Sequence, residues 1–180
     1  MMKRIRALAL TLGVLLAGAG PGEAARIEVK VGQAAPEITG GPWINSEPLS
    51  LAGLRGRVVL VEFWTYGCSN CLATLPWLKA VHGRHADKGL VVVGVHSPEF
   101  PHERDADRVR AAVKKHGIGY AVMIDNDFSY WNALGNRYWP AFYLIDRTGS
   151  IAAREFGELH AGQARGDEFE RKIVRLLEAD

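Results

Sequence analysis

From residue 57 onward, the hydrophobic and polar positions change repeatedly between strand-like and helical spacing. Continuous apolar, β-branched runs, typical of strands covered on both faces, occur at 57–64 (RVVLVEFW), 90–95 (LVVVGV) and 120–124 (YAVMI). Two further apolar segments, 141–146 (AFYLID) and 150–156 (SIAAREF), flank the turn sequence RTG. We therefore expect three strands in sequence and then an antiparallel hairpin.

The segments between these strands have helical periodicity. One helix should run to about Asp87 and stop at Lys88-Gly89, since apolar residues recur at Leu72, Leu75, Leu78 and Val81. A charged amphipathic helix is expected at 105–116 before Gly117, and a short one at 125–134 with Asp125 or Asp127 as N-cap. A terminal helix should bury Phe169, Ile173, Leu176 and Leu177. The alternation predicts an α/β fold, with a mixed central sheet and helices on both faces.

The first 56 residues read differently. Residues 27–56 are rich in Gly and Pro and broken into short extended pieces, so we interpret them as an N-terminal extension with a small β-hairpin. Before them, Lys3, Arg4 and Arg6 precede an apolar run at 7–20, and then the small residues Gly22 and Ala24. This order is typical of a secretory signal peptide. The run is shorter than the roughly 20 residues of a membrane-spanning helix, so cleavage is preferred over a retained anchor.

These boundaries predict a signal peptide at 1–24 and one domain at 25–180, soluble and periplasmic or otherwise extracytoplasmic after cleavage. The formal net charge of +2 belongs to the signal, because residues 1–24 carry three basic side chains and one acidic one. A neutral body with interspersed charges argues against nucleic acid or an anionic membrane surface as partner.

Cys68 and Cys71 are the only cysteines, and they fall where the first strand runs into the first helix. A structural bridge is disfavoured because so short a loop gains little from cross-linking. A metal site is disfavoured because no second CxxC or HxxxH pair is present, and we interpret His82 and His85 as a solvated helix face. A redox pair remains: a helix N-terminus stabilises a Cys68 thiolate for attack, and Cys71 resolves the mixed disulfide.

Resolution requires Cys71 to lose a proton, and Glu62 is the candidate acceptor. It lies inside the apolar run RVVLVEFW, where burial would raise its pKa toward the working range. His96, at the end of the next strand, is interpreted as a polar strand-end residue ahead of a proton relay.

The stretch EFWTYGCSNC resembles the thioredoxin-fold active site: a hydrophobic strand, an acid six residues before the first cysteine, an aromatic pair and then CxxC. Pro76 matches the helix-kinking proline of that family, and Trp139-Pro140 matches its cis-proline loop. With GVHSPEF, DNDFSYWNALGNRYWPAFYLID and REFGE, the chain is most similar to exported thiol-disulfide oxidoreductases of the TlpA/ResA/DipZ group, over roughly residues 32–160.

This resemblance implies a thioredoxin fold and an enzyme that exchanges its dithiol with disulfide-containing client proteins, as a monomer and without a cofactor. Trp64, Tyr66, Trp139 and Pro140 are expected to line the substrate groove. A separate membrane protein of the DipZ/CcdA type would supply electrons, and reduction is the preferred direction although Ser69-Asn70 signals neither direction. Two rivals stay open. The first is a thiol peroxidase, but the PxxxTxxC signature of that class is absent from this chain. The second is a copper carrier of the Sco type, which would use a CxxxC pair in place of the CxxC found here.

Overall fold

The computed structural model describes residues 29–179, so the predicted signal peptide lies outside the described residues. The strands are β1 (Trp43–Ile44), β2 (Val58–Trp64), β3 (Leu90–His96), β4 (Ala121–Ile124), β5 (Ala141–Ile145) and β6 (Ile151–Phe156). The helices are α1 (Ser69–His85), α2 (Ala106–Lys115), α3 (Ser129–Ala133) and α4 (Ala164–Glu178), with short 3-10 turns at Ala86–Lys88 and Pro101–Arg104. Within residues 29–179, no helix combines the length and apolar character needed to cross a bilayer.

The six strands form one mixed sheet in the order β1-β4-β3-β2-β5-β6. Strand β3 runs parallel to both β2 and β4, while β5 is antiparallel to β2 and β6. The predicted hairpin around the RTG turn and the predicted mixed sheet are therefore confirmed. In the β2–β3 register Trp64 lies opposite His96, so both strands end together at one edge of the sheet.

Apolar side chains on both sides of the sheet form the core. On one side, alternate residues of β2 and β3 pack with buried residues of α1, α2 and α4. Phe169 of α4, for example, contacts Trp77 of α1 and Phe142 of β5, with ring centroids 6.2 Å apart in both pairs. On the other side, α3 and the N-terminal segment cover Val59, Val61 and Phe63 of β2. This two-sided cover explains why β2 is apolar at almost every position.

The predicted N-terminal β-hairpin is wrong. Residues 43 and 44 pair instead with β4, with Trp43 opposite Met123 and Ile44 opposite Val122. Ala34 forms an isolated bridge with Ser150 near the opposite edge. The physical reason is that sheet edges offer unpaired N–H and C=O groups. The short extended pieces satisfy these groups in distant strands and have no need to pair with each other.

Helix α2 lies where it was predicted, whereas α1 changes to a 3-10 turn at Ala86–Lys88 before Gly89 and α3 begins later than predicted. Helix α2 begins after Asp105, whose side chain accepts the Asp107 and Arg108 N–H groups, and Gly117 follows its C-terminus with φ +59°. Helix α3 begins only at Ser129, after Phe128 with φ +60°. The carboxylate of Asp125 nevertheless satisfies the first turn of α3, because it accepts the N–H groups of Tyr130 and Trp131 at 3.1 and 3.0 Å.

Candidate active site

The two cysteines lie at the edge where β2 and β3 end. A three-residue loop, 65–67, follows β2, and Cys68 is the N-cap residue of α1 in extended conformation. Its backbone N–H donates to Thr65 O at 3.3 Å, which folds the loop back against the end of β2. Cys68 and Cys71 are joined by a disulfide, and the Cys71 N–H donates to Cys68 Sγ at 3.1 Å. One of the N-terminal N–H groups of the helix therefore donates directly to the Cys68 sulfur.

The two sulfurs differ in their access to solvent. Cys68 is half-buried, whereas Cys71 is fully buried one turn further into α1. A large reactant arriving from solvent can therefore meet Cys68, while Cys71 is shielded by the protein.

Glu62 lies in the core on the side of β2 that faces α1. It is fully buried, and Leu60, Trp64 and Cys71 belong to the apolar cluster on that side. The Tyr120 hydroxyl donates to Glu62 Oε2 at 3.1 Å, and Oε1 has no hydrogen-bond partner within residues 29–179. Burial raises the pKa of Glu62 to about 8, although the hydrogen bond from Tyr120 acts in the opposite direction. The carboxyl can thus hold or release a proton close to neutral pH.

The carboxylate of Glu103, from the 3-10 turn before α2, holds the loop before Cys68. Glu103 is fully buried, its Oε1 accepts the Gly67 N–H at 2.9 Å, and its Oε2 accepts the N–H groups of Glu99 and Phe100 at 2.6 and 2.9 Å. A Cβ at position 67 would lie 2.2 Å from Glu103 Oε1, so the close approach requires glycine. Burial acts to raise the pKa of Glu103, but hydrogen bonds from Phe100, Thr65, Glu99 and Gly67 outweigh burial and lower it.

His96 lies behind the same loop. It is fully buried, its ring stacks on Tyr66 with centroids 5.5 Å apart, and its Nε2 accepts the Tyr66 N–H at 3.4 Å. Burial lowers the pKa of His96 to about 4, although the negative charge of Glu103 acts to raise it. His96 is therefore neutral near pH 7 and supports the loop as a hydrogen-bond acceptor.

The segment around Trp139 reaches the same edge of the sheet. The Trp139–Pro140 peptide bond is cis, and the next residue, Ala141, pairs with Phe63 near the end of β2. The Trp139 indole packs on Trp131, with ring centroids 4.2 Å apart, and its Nε1 donates to Ser97 O at 3.0 Å. Pro140 is buried and Trp139 is half-buried.

Two residues lie where the sequence interpretation did not put them. Trp64, expected to line a substrate groove, is fully buried in the core and has no exposed surface in this structure. The strand is covered on both faces, so its last apolar side chain points into the cluster under α1. His85, expected on a solvated helix face, is buried and its Nε2 lies 2.9 Å from Glu170 Oε1 of α4, which packs against α1. Across residues 29–179, no group of three or more metal-ligating side chains is found.

Sequence reasoning missed Glu103 and Tyr120, which contact the loop and Glu62 respectively. The only local signal for Glu103 was an acid in an irregular stretch after β3, and Glu99 shared that signal. Tyr120 looked like the first apolar residue of a strand. Neither contact follows from spacing, because each joins residues more than 30 positions apart.

Comparisons with known proteins agree with this architecture. A family model described as Redoxin matches residues 30–170. Protein DipZ of Mycobacterium tuberculosis is 41% identical over 128 residues, which cover 69% of this chain but only 18% of DipZ. Thiol-disulfide oxidoreductase YkuV of Bacillus subtilis is 29% identical over 150 residues, covering 83% of this chain and 97% of YkuV. A solved thioredoxin-like protein in its oxidised form superposes with a TM-score of 0.69 at 28% identity, over 81% of this chain and 95% of that one.

Proposed function

The chain belongs to the redoxin family, with a thioredoxin fold of the TlpA/ResA/DipZ type, and from this premise we propose that it is a thiol-disulfide oxidoreductase acting on protein disulfides. One observation carries the proposal. A disulfide at a helix N-terminus pairs an accessible sulfur with a buried one, on the side of the sheet where a buried carboxyl with a raised pKa lies.

Cys68 is the attacking residue in this proposal. In the reduced protein its thiolate is stabilised by the N-terminal N–H groups of α1, of which the Cys71 N–H already points at Sγ. The thiolate attacks one sulfur of a client disulfide and forms a mixed disulfide, while the other client sulfur leaves as a thiolate and takes up a proton.

Cys71 completes the exchange, with Glu62 as its proton acceptor. The Cys71 thiol gives its proton to ionised Glu62, and the resulting thiolate attacks Cys68 Sγ. The second client sulfur leaves as a thiolate, and the protein ends with the Cys68–Cys71 disulfide. Two electrons have moved from the protein to the client, and a donor dithiol must return them. In the reverse direction Glu62 returns the proton to Cys71.

Several finer points belong to the same proposal. Tyr66, Trp139 and Pro140, at the cysteine edge of the sheet, would contact the client. We prefer reduction of clients in an extracytoplasmic compartment, by a monomer that receives electrons from a membrane donor of the DipZ/CcdA type. The N-terminal signal-like sequence supports the compartment, and the kind of donor is what the resemblance to the TlpA/ResA/DipZ group implies.

The test is trapping of mixed disulfides with a client protein, using Cys71→Ser and Cys68→Ser as a matched pair. Cys71→Ser should accumulate mixed disulfides because resolution is blocked, whereas Cys68→Ser should accumulate few because the remaining thiol is buried. Equal trapping by both variants would overturn the order of attack. The reduction potential gives the direction: near about −270 mV the couple is a reductant and near about −120 mV an oxidant. Faster turnover of hydrogen peroxide than of disulfides would instead indicate a thiol peroxidase.

A further inference from the structure

A groove lies beside the disulfide, between α1 and α2. We call it the α1–α2 groove; its volume is about 360 Å³, and its walls include Tyr66, Leu72, Arg108, Ala111, Ala112 and Lys115. Tyr66 lies two residues before Cys68, and Leu72 directly follows Cys71. The groove therefore adjoins the loop and the first turn of α1, which carry the two cysteines.

Helix α2 contributes one stripe of side chains to the groove. Arg108, Ala111, Ala112 and Lys115 stand at helical spacing on a single face. The side chains of the two alanines are small, so they leave space in the middle of the groove. Leu72 and Tyr66 line it with apolar surface from the other side. At a rise of about 1.5 Å per residue, the basic residues at the two ends are separated by about 10 Å along the helix.

The two ends of the groove are positively charged. Arg108 is exposed and makes only a loose ion pair with Asp105, with Nε 3.5 Å from Oδ2. Lys115 is exposed, and no carboxylate within the described part of the chain pairs with it. Lys79 adds a second ammonium at the Lys115 end, because its Nζ donates to His116 O at 2.8 Å. Burial lowers the pKa of His116, and repulsion by Lys115 and Lys79 lowers it further.

From this shape and charge we infer that the α1–α2 groove binds an extended client segment in which an apolar side chain is flanked by acidic residues about three positions apart. The apolar side chain would pack against Leu72, Ala112 and Tyr66, and the acidic ones would reach Arg108 and Lys115. The spacing follows from about 10 Å divided by the strand rise of about 3.3 Å per residue. This inference rests on the proposed exchange reaction and names the substrate class that the reaction prefers.

The experiment measures reduction of synthetic peptides by the full-length dithiol protein. Each peptide carries one cysteine, held as a mixed disulfide with 2-mercaptoethanol, beside an apolar residue flanked by two Asp residues. In matched peptides, Asn or Lys replaces both Asp residues. The uncharged disulfide of 2-mercaptoethanol itself reports on the chemistry alone. The variants are R108Q/K115Q in the groove and, as control, R110Q/K114Q, which removes the same charge from exposed positions of α2 outside the groove walls.

We expect the Asp peptide to react about fivefold faster than the Asn peptide at low salt, since two exposed charge contacts supply that much, and the Lys peptide to react slowest. High salt and R108Q/K115Q should each remove the preference, whereas R110Q/K114Q should keep it. The control R110Q/K114Q should reduce the uncharged disulfide at the wild-type rate, and for every variant the peptide rates are divided by its own rate with that disulfide.

Equal rates for the Asp and Asn peptides, with the uncharged disulfide still reduced, would overturn the groove assignment and leave the exchange reaction standing. If both double variants lost the preference for the Asp peptide equally, the groove assignment would also be overturned, because the preference would then come from the overall positive charge of α2 and not from a local site. A wild-type dimer that R108Q/K115Q converts to monomer in sedimentation would mean that a second copy fills the groove, which contradicts the inference. Failure to reduce any disulfide would overturn the proposed function itself.

Discussion

Replacing Glu62 with Gln tests whether a titrating carboxyl serves Cys71. The change keeps the shape of the side chain and an acceptor for the Tyr120 hydroxyl, which donates to Oε2 in the wild type. It removes the buried carboxyl whose pKa is raised to about 8. The matched control is Glu168→Gln, the same chemical change on an exposed position of α4.

The size of the kinetic effect follows from the pKa. With a pKa of about 8, Glu62 is ionised in about one molecule in ten at pH 7 and in about nine in ten at pH 9. The rate of mixed-disulfide resolution should therefore contain a rise of about ninefold over that interval that depends on Glu62. In Glu62→Gln this rise should vanish, whereas the rate of the first attack by Cys68 should change little.

The same pKa also predicts a change in stability with pH. Because the pKa is raised to about 8 from an ordinary value of 4.5, folding takes up a proton between those two pH values. The stability that protonated Glu62 contributes is fully present below pH 4.5 and is lost as the pH rises through about 8. Relative to its value below pH 4.5, the free energy of unfolding is lower by about 3 kcal/mol at pH 7 and by about 5 kcal/mol above pH 8. Glu62→Gln lacks this slope, but its buried amide adds a pH-independent penalty of about 1–3 kcal/mol.

Two measurements decide the matter. Stopped-flow kinetics should follow attack and resolution separately from pH 6 to 9, and denaturant unfolding with the disulfide intact should give the free energy of unfolding at about pH 5, 7 and 8.5. Glu168→Gln should behave as wild type in both. Parallel stability curves for wild type and Glu62→Gln, together with an unchanged pH profile of resolution, would refute the reasoning.

Three further changes have defined outcomes. Tyr120→Phe removes the hydrogen bond that lowers the pKa of Glu62, so the Glu62-dependent rise in resolution should move to higher pH; an unmoved profile would contradict this. Glu103→Ala leaves the N–H groups of Gly67, Glu99 and Phe100 without their acceptor, so the free energy of unfolding measured with denaturant should fall by about 3 kcal/mol or more. A change near zero, as expected for an exposed loop, would contradict the role of Glu103 in holding the loop. Phe169→Ala should lower the free energy of unfolding by about 3–5 kcal/mol in denaturant unfolding, because the ring is fully buried against Trp77 and Phe142, and a loss below about 1 kcal/mol would contradict this packing.

The sequence by itself determined the elements whose signals are local. The apolar run of β2, the apolar positions of α1 at helical spacing and the stop of α2 before Gly117 each depend on a few neighbouring residues, and each is found where the pattern predicted it. The position of Cys68 at a strand-to-helix junction follows from the same signals, because it depends only on where β2 ends and α1 begins.

Only the tertiary structure decided the contacts between segments that are distant in the chain. The pairing of β1 with β4 in place of a hairpin depends on which sheet edge is free, and no local pattern records that. The burial of Trp64 depends on the helices that cover its face of the sheet. The hydrogen bond from the Gly67 N–H to Glu103 depends on two loops meeting at one edge of the sheet. A carboxylate buried there without N–H donors would carry a large desolvation penalty. The local spacing of residues determines which element forms, whereas contacts between distant segments are determined by how the helices and loops pack on the whole sheet.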